Sequence, residues 1–132
     1  MKGYSQNIEE LTRENDKYRK VLYTSKYSQL VLMCLNPNQE IGLETHQNND
    51  QFFRIETGQG KVVIDDNEHT VRDGSAVIVP AGARHNVINT SDTEKLKLYT
   101  IYSPPHHKDG IEFDKLEPAE ASEEEFDGQT TE

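Results

Sequence analysis

A single cysteine in 132 residues cannot form an internal disulfide framework, so this fold has to rest on its core. Cys34 lies in an apolar run and reads as a buried, inert thiol in a reducing compartment. No apolar stretch approaches membrane-spanning length, and Met1 to Asn7 hold no apolar signal core, so a cytoplasmic protein away from the membrane is expected. Basic residues are few, 14 Lys and Arg against 24 Asp and Glu, and they form no stripe, which argues against a nucleic-acid partner. Internal repeats, a P-loop, a Gly-x-Ser-x-Gly elbow and paired Cys-x-x-Cys motifs are all absent; Gly58-Gln59-Gly60 is a strand-end turn and not a phosphate loop.

The net charge of −10 is unevenly placed. Glu117, Glu120, Glu123, Glu124, Glu125, Asp127 and Glu132 fall in a stretch without Lys or Arg, and the rest of the chain carries only −3. Such a like-charged, weakly apolar run cannot bury enough surface to order itself, so 117–132 is expected to be a disordered acidic tail. The remaining length suits one domain, with roughly two thirds of its unfolded surface buried.

What the sequence does contain is a series of short strand signals. Asn7 can cap a short helix, with Glu10 three residues on in capping-box fashion. Residues 18–27 mix apolar and polar side chains as an exposed or edge strand does, and 29–35 is a continuous apolar run suited to a strand covered on both faces. Asn36-Pro37-Asn38-Gln39 is a turn in which Asn38 can take a left-handed conformation. A strand runs from Gly42 through Glu44 and His46. In the next, Gln51, Phe53 and Ile55 share one face and Phe52 the other. Asp65-Asp66-Asn67-Glu68 reads as the turn of a hairpin. Gly74 to Asn89 reads as strand, tight turn at Pro80-Ala81-Gly82, and strand, with His85 and Val87 on a common face. Leu96, Leu98 and Thr100 alternate in a late strand that Pro104-Pro105 stops. Phe52 and Ile101 then face outward, which suggests sheet packing across a homodimer. Many short strands and almost no helix indicate an antiparallel sandwich or barrel.

Gly74, Pro80, Gly82, His85 and Asn89 have the spacing of the second signature motif of the cupin superfamily, which this chain resembles. Pro37 to Gly58 has the spacing of the first motif, with Asn38 in a glycine place, Glu44 in that of the first histidine, His46 in that of the second, and Gln51 in that of the glutamate. The resemblance is to small single-domain bacterial cupins, grouped loosely with mannose-6-phosphate isomerase. It implies an all-β double-stranded β-helix, a jelly-roll barrel over 20–116, after an N-terminal segment 1–19 with its short helix.

In metal-binding cupins the corresponding side chains hold one divalent ion. The resemblance therefore implies Glu44, His46, Gln51 and His85 as ligands of an iron, manganese, nickel or zinc ion. Two types differ from the family pattern, but the set keeps two imidazoles and one carboxylate, the composition of a non-haem iron site, with a weak amide donor beside them. Glu44 and His107 are the candidates for proton transfer, with His106 its neighbour on the segment after the prolines; Tyr102 and Phe53 are candidates for substrate contact. Arg84 and Arg54 are the basic residues nearest the motifs. The expected function is metal-dependent isomerisation or epimerisation of a small hydroxy-carbonyl or carboxylate compound such as a sugar. The alternatives are a non-haem iron dioxygenase and a non-catalytic small-molecule sensor or binding module.

Overall fold

The computed structural model of the chain describes residues 1–115 and 125–132. Asn7 accepts a hydrogen bond from the Glu10 backbone N–H at 3.0 Å and so starts helix α1 (Ile8–Glu14), satisfying an amide that the first turn leaves without an intrahelical partner. Ten strands follow among the described residues: β1 (Arg19–Thr24), β2 (Gln29–Leu35), β3 (Glu44–Thr45), β4 (Asp50–Thr57), β5 (Gln59–Ile64), β6 (Asn67–Arg72), β7 (Ala76–Val79), β8 (Arg84–Asn89), β9 (Leu96–Ser103) and β10 (Glu112–Phe113).

They pair antiparallel in two sheets, of order β10-β1-β2-β9-β4-β7 and β3-β8-β5-β6. Alternation along the strands sends Val31, Met33, Phe53, Ile55, Leu96 and Leu98 from the larger sheet toward Val62 and Val87 from the smaller one, and all of these are buried. This is the expected jelly roll. The outer side of the larger sheet is partly covered by α1, which packs over β4 and β9; Leu32 of β2 is buried on that side, as a strand covered on both faces requires.

Two turn positions explain their residues. Asn38 has φ 62°, the left-handed conformation that the family's glycine would supply. Gly58 has φ 101°, and a Cβ there would lie 2.5 Å from the Lys95 carbonyl oxygen, so the chain crossing between β4 and β5 excludes any side chain.

The structure departs from expectation in two places. β1 is not an edge strand, because β10 returns to pair with it at Arg19 and Lys20 and leaves Tyr18 and Val21 buried. The strand expected from Gly42 to His46 is regular only at Glu44–Thr45, since β3 meets β8 over two residue pairs and has no other neighbour among the described residues; His46 follows it, just before the turn at Gln47–Asn48. Of the expected acidic tail at 117–132, residues 117–124 lie outside the described residues, while 125–132 run along the barrel. There Thr131 N–H donates to the Thr24 carbonyl at 2.9 Å, and the Glu132 carboxylate accepts from the Tyr23 hydroxyl. Among the described residues no helix is long and apolar enough to cross a membrane.

Candidate metal centre

β3 and β8 place Glu44 directly opposite His85. His46, two residues beyond Glu44, returns to the same side. The ligand atoms of Glu44, His46 and His85 all lie within 4.8 Å of one another, a cluster that can hold a metal ion. Both histidines are buried. His46 Nε2 stands 3.0 Å from Glu44 Oε2. That spacing is also what an ion needs: bonds of about 2.1 Å at right angles put neighbouring ligand atoms about 3.0 Å apart.

The electrostatics support lone-pair donors. Burial lowers the pKa of His85, with the nearby His46 adding to it against the Ala83 carbonyl and Glu44, so the imidazole is neutral. Its Nδ1 lies 3.3 Å from the Ala83 carbonyl oxygen; a proton on Nδ1 donating there leaves Nε2 with its lone pair. Burial pushes the Glu44 carboxyl upward, but His46, Arg19 and His85 outweigh it, and its pKa lies below the ordinary value.

The fourth expected ligand comes from the other sheet. Gln51 in β4 donates through Nε2 to Thr100 Oγ1 at 3.0 Å, and its buried Oε1 has no hydrogen-bond partner. It lines one small cavity with Glu44, His85, Tyr102, Phe53 and Arg19. The free space there is only about 10 Å³, room for an ion or one water. The expected substrate contacts Tyr102 and Phe53 are thus on the wall, both buried. Burial, reinforced by Glu44, holds the Tyr102 phenol far above its ordinary pKa, so it acts as a hydroxyl.

The histidine pair after the prolines is placed differently from the expectation. His107 is buried behind Tyr102, with Nε2 3.1 Å from the phenolic oxygen, and is not on the cavity wall. His106 is the ring against the candidate ligand, its centroid 4.2 Å from that of His46 and 5.2 Å from that of Tyr102. Burial, with His107 and His46 nearby, takes the His106 pKa down to about 3.

The basic residue on the cavity wall is Arg19, not Arg54, whose Nε lies 3.6 Å from Glu56, nor the exposed Arg84. Sequence reasoning passes over Arg19. It also passes over Gln29, whose signal is a polar residue opening an otherwise apolar strand. Gln29 proves to be almost fully buried beneath His106 and His107.

The sequence profile of the family described as "Cupin domain" matches residues 31–102. The YrkC protein of Bacillus subtilis is 43% identical over 129 residues, covering 93% of this chain and 69% of that protein. A protein of Acanthamoeba polyphaga mimivirus is 44% identical over 110 residues, covering 81% and 69%. A crystal structure of a Bacillus halodurans protein superposes with a TM-score of 0.82 at 38% identity, covering 84% of this chain and 88% of that one. None of the three is named for an activity.

Proposed function

The chain belongs to the cupin-domain family, and from that premise we propose that it binds one divalent transition metal through Glu44, His46 and His85 and acts on a small hydroxy-carbonyl or carboxylate compound by isomerase or epimerase chemistry. The observation that carries the reading is the gathering of a carboxylate and two imidazoles within 4.8 Å of one another, with Glu44 and His85 on the wall of a cavity of ionic size. The free Oε1 of Gln51 on the facing wall is the fourth donor. Iron, manganese, nickel and zinc all accept this mixture of imidazole and carboxylate.

A bound ion would supply Lewis acidity to a pair of substrate oxygens, easing loss of the adjoining proton. The chain's own residues do the rest. Glu44, ionised at neutral pH, is the proton acceptor nearest the ion's place. Tyr102, kept protonated, can donate a hydrogen bond to a substrate oxygen, and its own hydroxyl is oriented by His107. Phe53 and Val87 keep the wall apolar and water out. The cavity as it stands fits no more than an ion or a water. A compact substrate of a few heavy atoms is therefore favoured over a hexose.

Two other readings each have one observation behind them. Two imidazoles and one carboxylate favour a dioxygenase if the ion is ferrous. The tight cavity and the neutral Gln51 favour a binding module without catalysis. The cytoplasm is the proposed setting, in keeping with the free, buried Cys34 thiol.

The test is metal content by plasma mass spectrometry on untagged protein purified without chelator. About one equivalent is expected, lost in His46→Ala and in His85→Ala while circular dichroism stays that of the wild type. Protein that takes up no iron, manganese, nickel or zinc on incubation would sink the metal-dependent reading.

A further inference from the structure

Gln29, the first residue of β2, is 1% exposed, an unusual place for a carboxamide, and three of its four hydrogen bonds go to one segment. Its Oε1 accepts from the backbone N–H of His106 at 3.1 Å and of His107 at 2.9 Å. Its Nε2 donates to the His107 carbonyl at 2.7 Å and to Thr24 Oγ1 at 2.9 Å. An amide offers two lone pairs and two N–H groups, and here all four are used.

The segment gripped in this way is the one that covers the metal centre. His106 packs edge-on against His46 and stacks on Tyr102 at an interplanar angle of 28°. His107 bonds the Tyr102 hydroxyl from behind. His46 has thus the His106 ring on one side, and on the other its Nε2 beside Glu44. Buried bonds to one side chain fix a segment more sharply than exposed ones, because breaking them leaves amides unsatisfied in a dry place.

We propose that Gln29 is a positioning residue for the metal centre: it fixes the His106–His107 segment so that His106 holds the His46 ring in its ligating orientation. The inference rests on the metal reading above and adds to it the device that holds the site. Gln29 touches neither ion nor substrate and acts only through His106 and His107.

The test compares Gln29→Met, which keeps the volume and removes the bonds, with Gln29→Glu, which keeps the acceptor of both N–H groups. The probe is Co²⁺. With Gln29→Met the cobalt affinity is expected to fall roughly 10- to 100-fold, the range for partners that orient metal ligands, and the visible absorption of the bound ion to change. Gln29→Glu, which needs a proton on its carboxyl to face the His107 carbonyl, should recover the wild-type spectrum as the pH is lowered, whereas a purely structural role would leave the cobalt spectrum of folded Gln29→Met unchanged. Equal affinity and an identical spectrum in Gln29→Met would overturn the proposal. Should the wild type take no cobalt, the metal reading fails by itself, and hydrogen exchange decides the positioning role: faster exchange at the His106 and His107 amides in Gln29→Met supports it, and unchanged exchange overturns it.

Discussion

At the scale of single residues, Asn89 shows how a motif position can be structural and not chemical. It is 1% exposed, and its Nδ2 lies 3.1 Å from the Leu35 carbonyl, 3.0 Å from that of Asn36 and 2.8 Å from that of Glu94, while its Oδ1 accepts from Ser91 N–H. It ties the end of β8 to the end of β2 and to the start of β9. Asn89→Ala strips these carbonyls of their donor, and since each buried polar group left unmatched costs about 1–3 kcal/mol, a loss of about 2–4 kcal/mol is expected. Urea denaturation measures it; metal content should be unchanged, because no donor of the centre is touched. Other residue-level readings are legible in the sequence because the chemistry is local. Asn38 reads as a left-handed turn residue and has φ 62°. Glu44, His46 and His85 are grouped by family spacing and alternation, and the structure brings them together. Which of His106 and His107 faces His46 is not legible, since adjacent residues in a loop have no period to orient them.

At the scale of elements, the outer face of the larger sheet carries an apolar row set by register. Leu30 lies opposite Ile101, Ile101 opposite Phe52, and Phe52 opposite Ile78, so one row crosses β2, β9, β4 and β7. Ile78 is 67% exposed. α1 covers the neighbouring part of this face and stops short of the row's outer end, where Ile78 stays open. We propose that a second copy covers the row, because a two-fold axis would lay the same four side chains against themselves. Sedimentation equilibrium should give twice the chain mass for the wild type and the chain mass for Ile78→Lys; a monomeric wild type would rule the dimer out.

At the scale of the whole molecule, buried neutral histidines tie stability to pH. His106 titrates in the folded state at about 3, and burial also lowers His107 and His85. In the unfolded chain these groups take up protons near pH 6.5. Below that pH the unfolded state binds more protons than the folded one, so stability is full above about pH 6.5 and falls as the pH drops toward about 3. For chelator-treated protein the urea midpoint should fall from pH 7.5 to pH 5.5, and His106→Gln should reduce that fall. A midpoint independent of pH over this range would contradict the burial of these rings.

The sequence by itself determined the class of fold and the likeness to the family. Strand alternation, turn residues and motif spacing are local properties, and they survive in one dimension: the single short helix, the hairpin at Asp65 and the inward set Phe53, Ile55, Leu96 and Leu98 can all be read along the chain. Only the tertiary structure decided what faces the centre. Arg19 reaches the cavity wall because its register partner in β2 is the inward-facing Met33, and Gln29 meets His106 and His107 across 77 and 78 residues of chain. Such juxtapositions come from strand order and from loop paths. These follow from how two sheets close on a common core, and no period in the sequence encodes that closure.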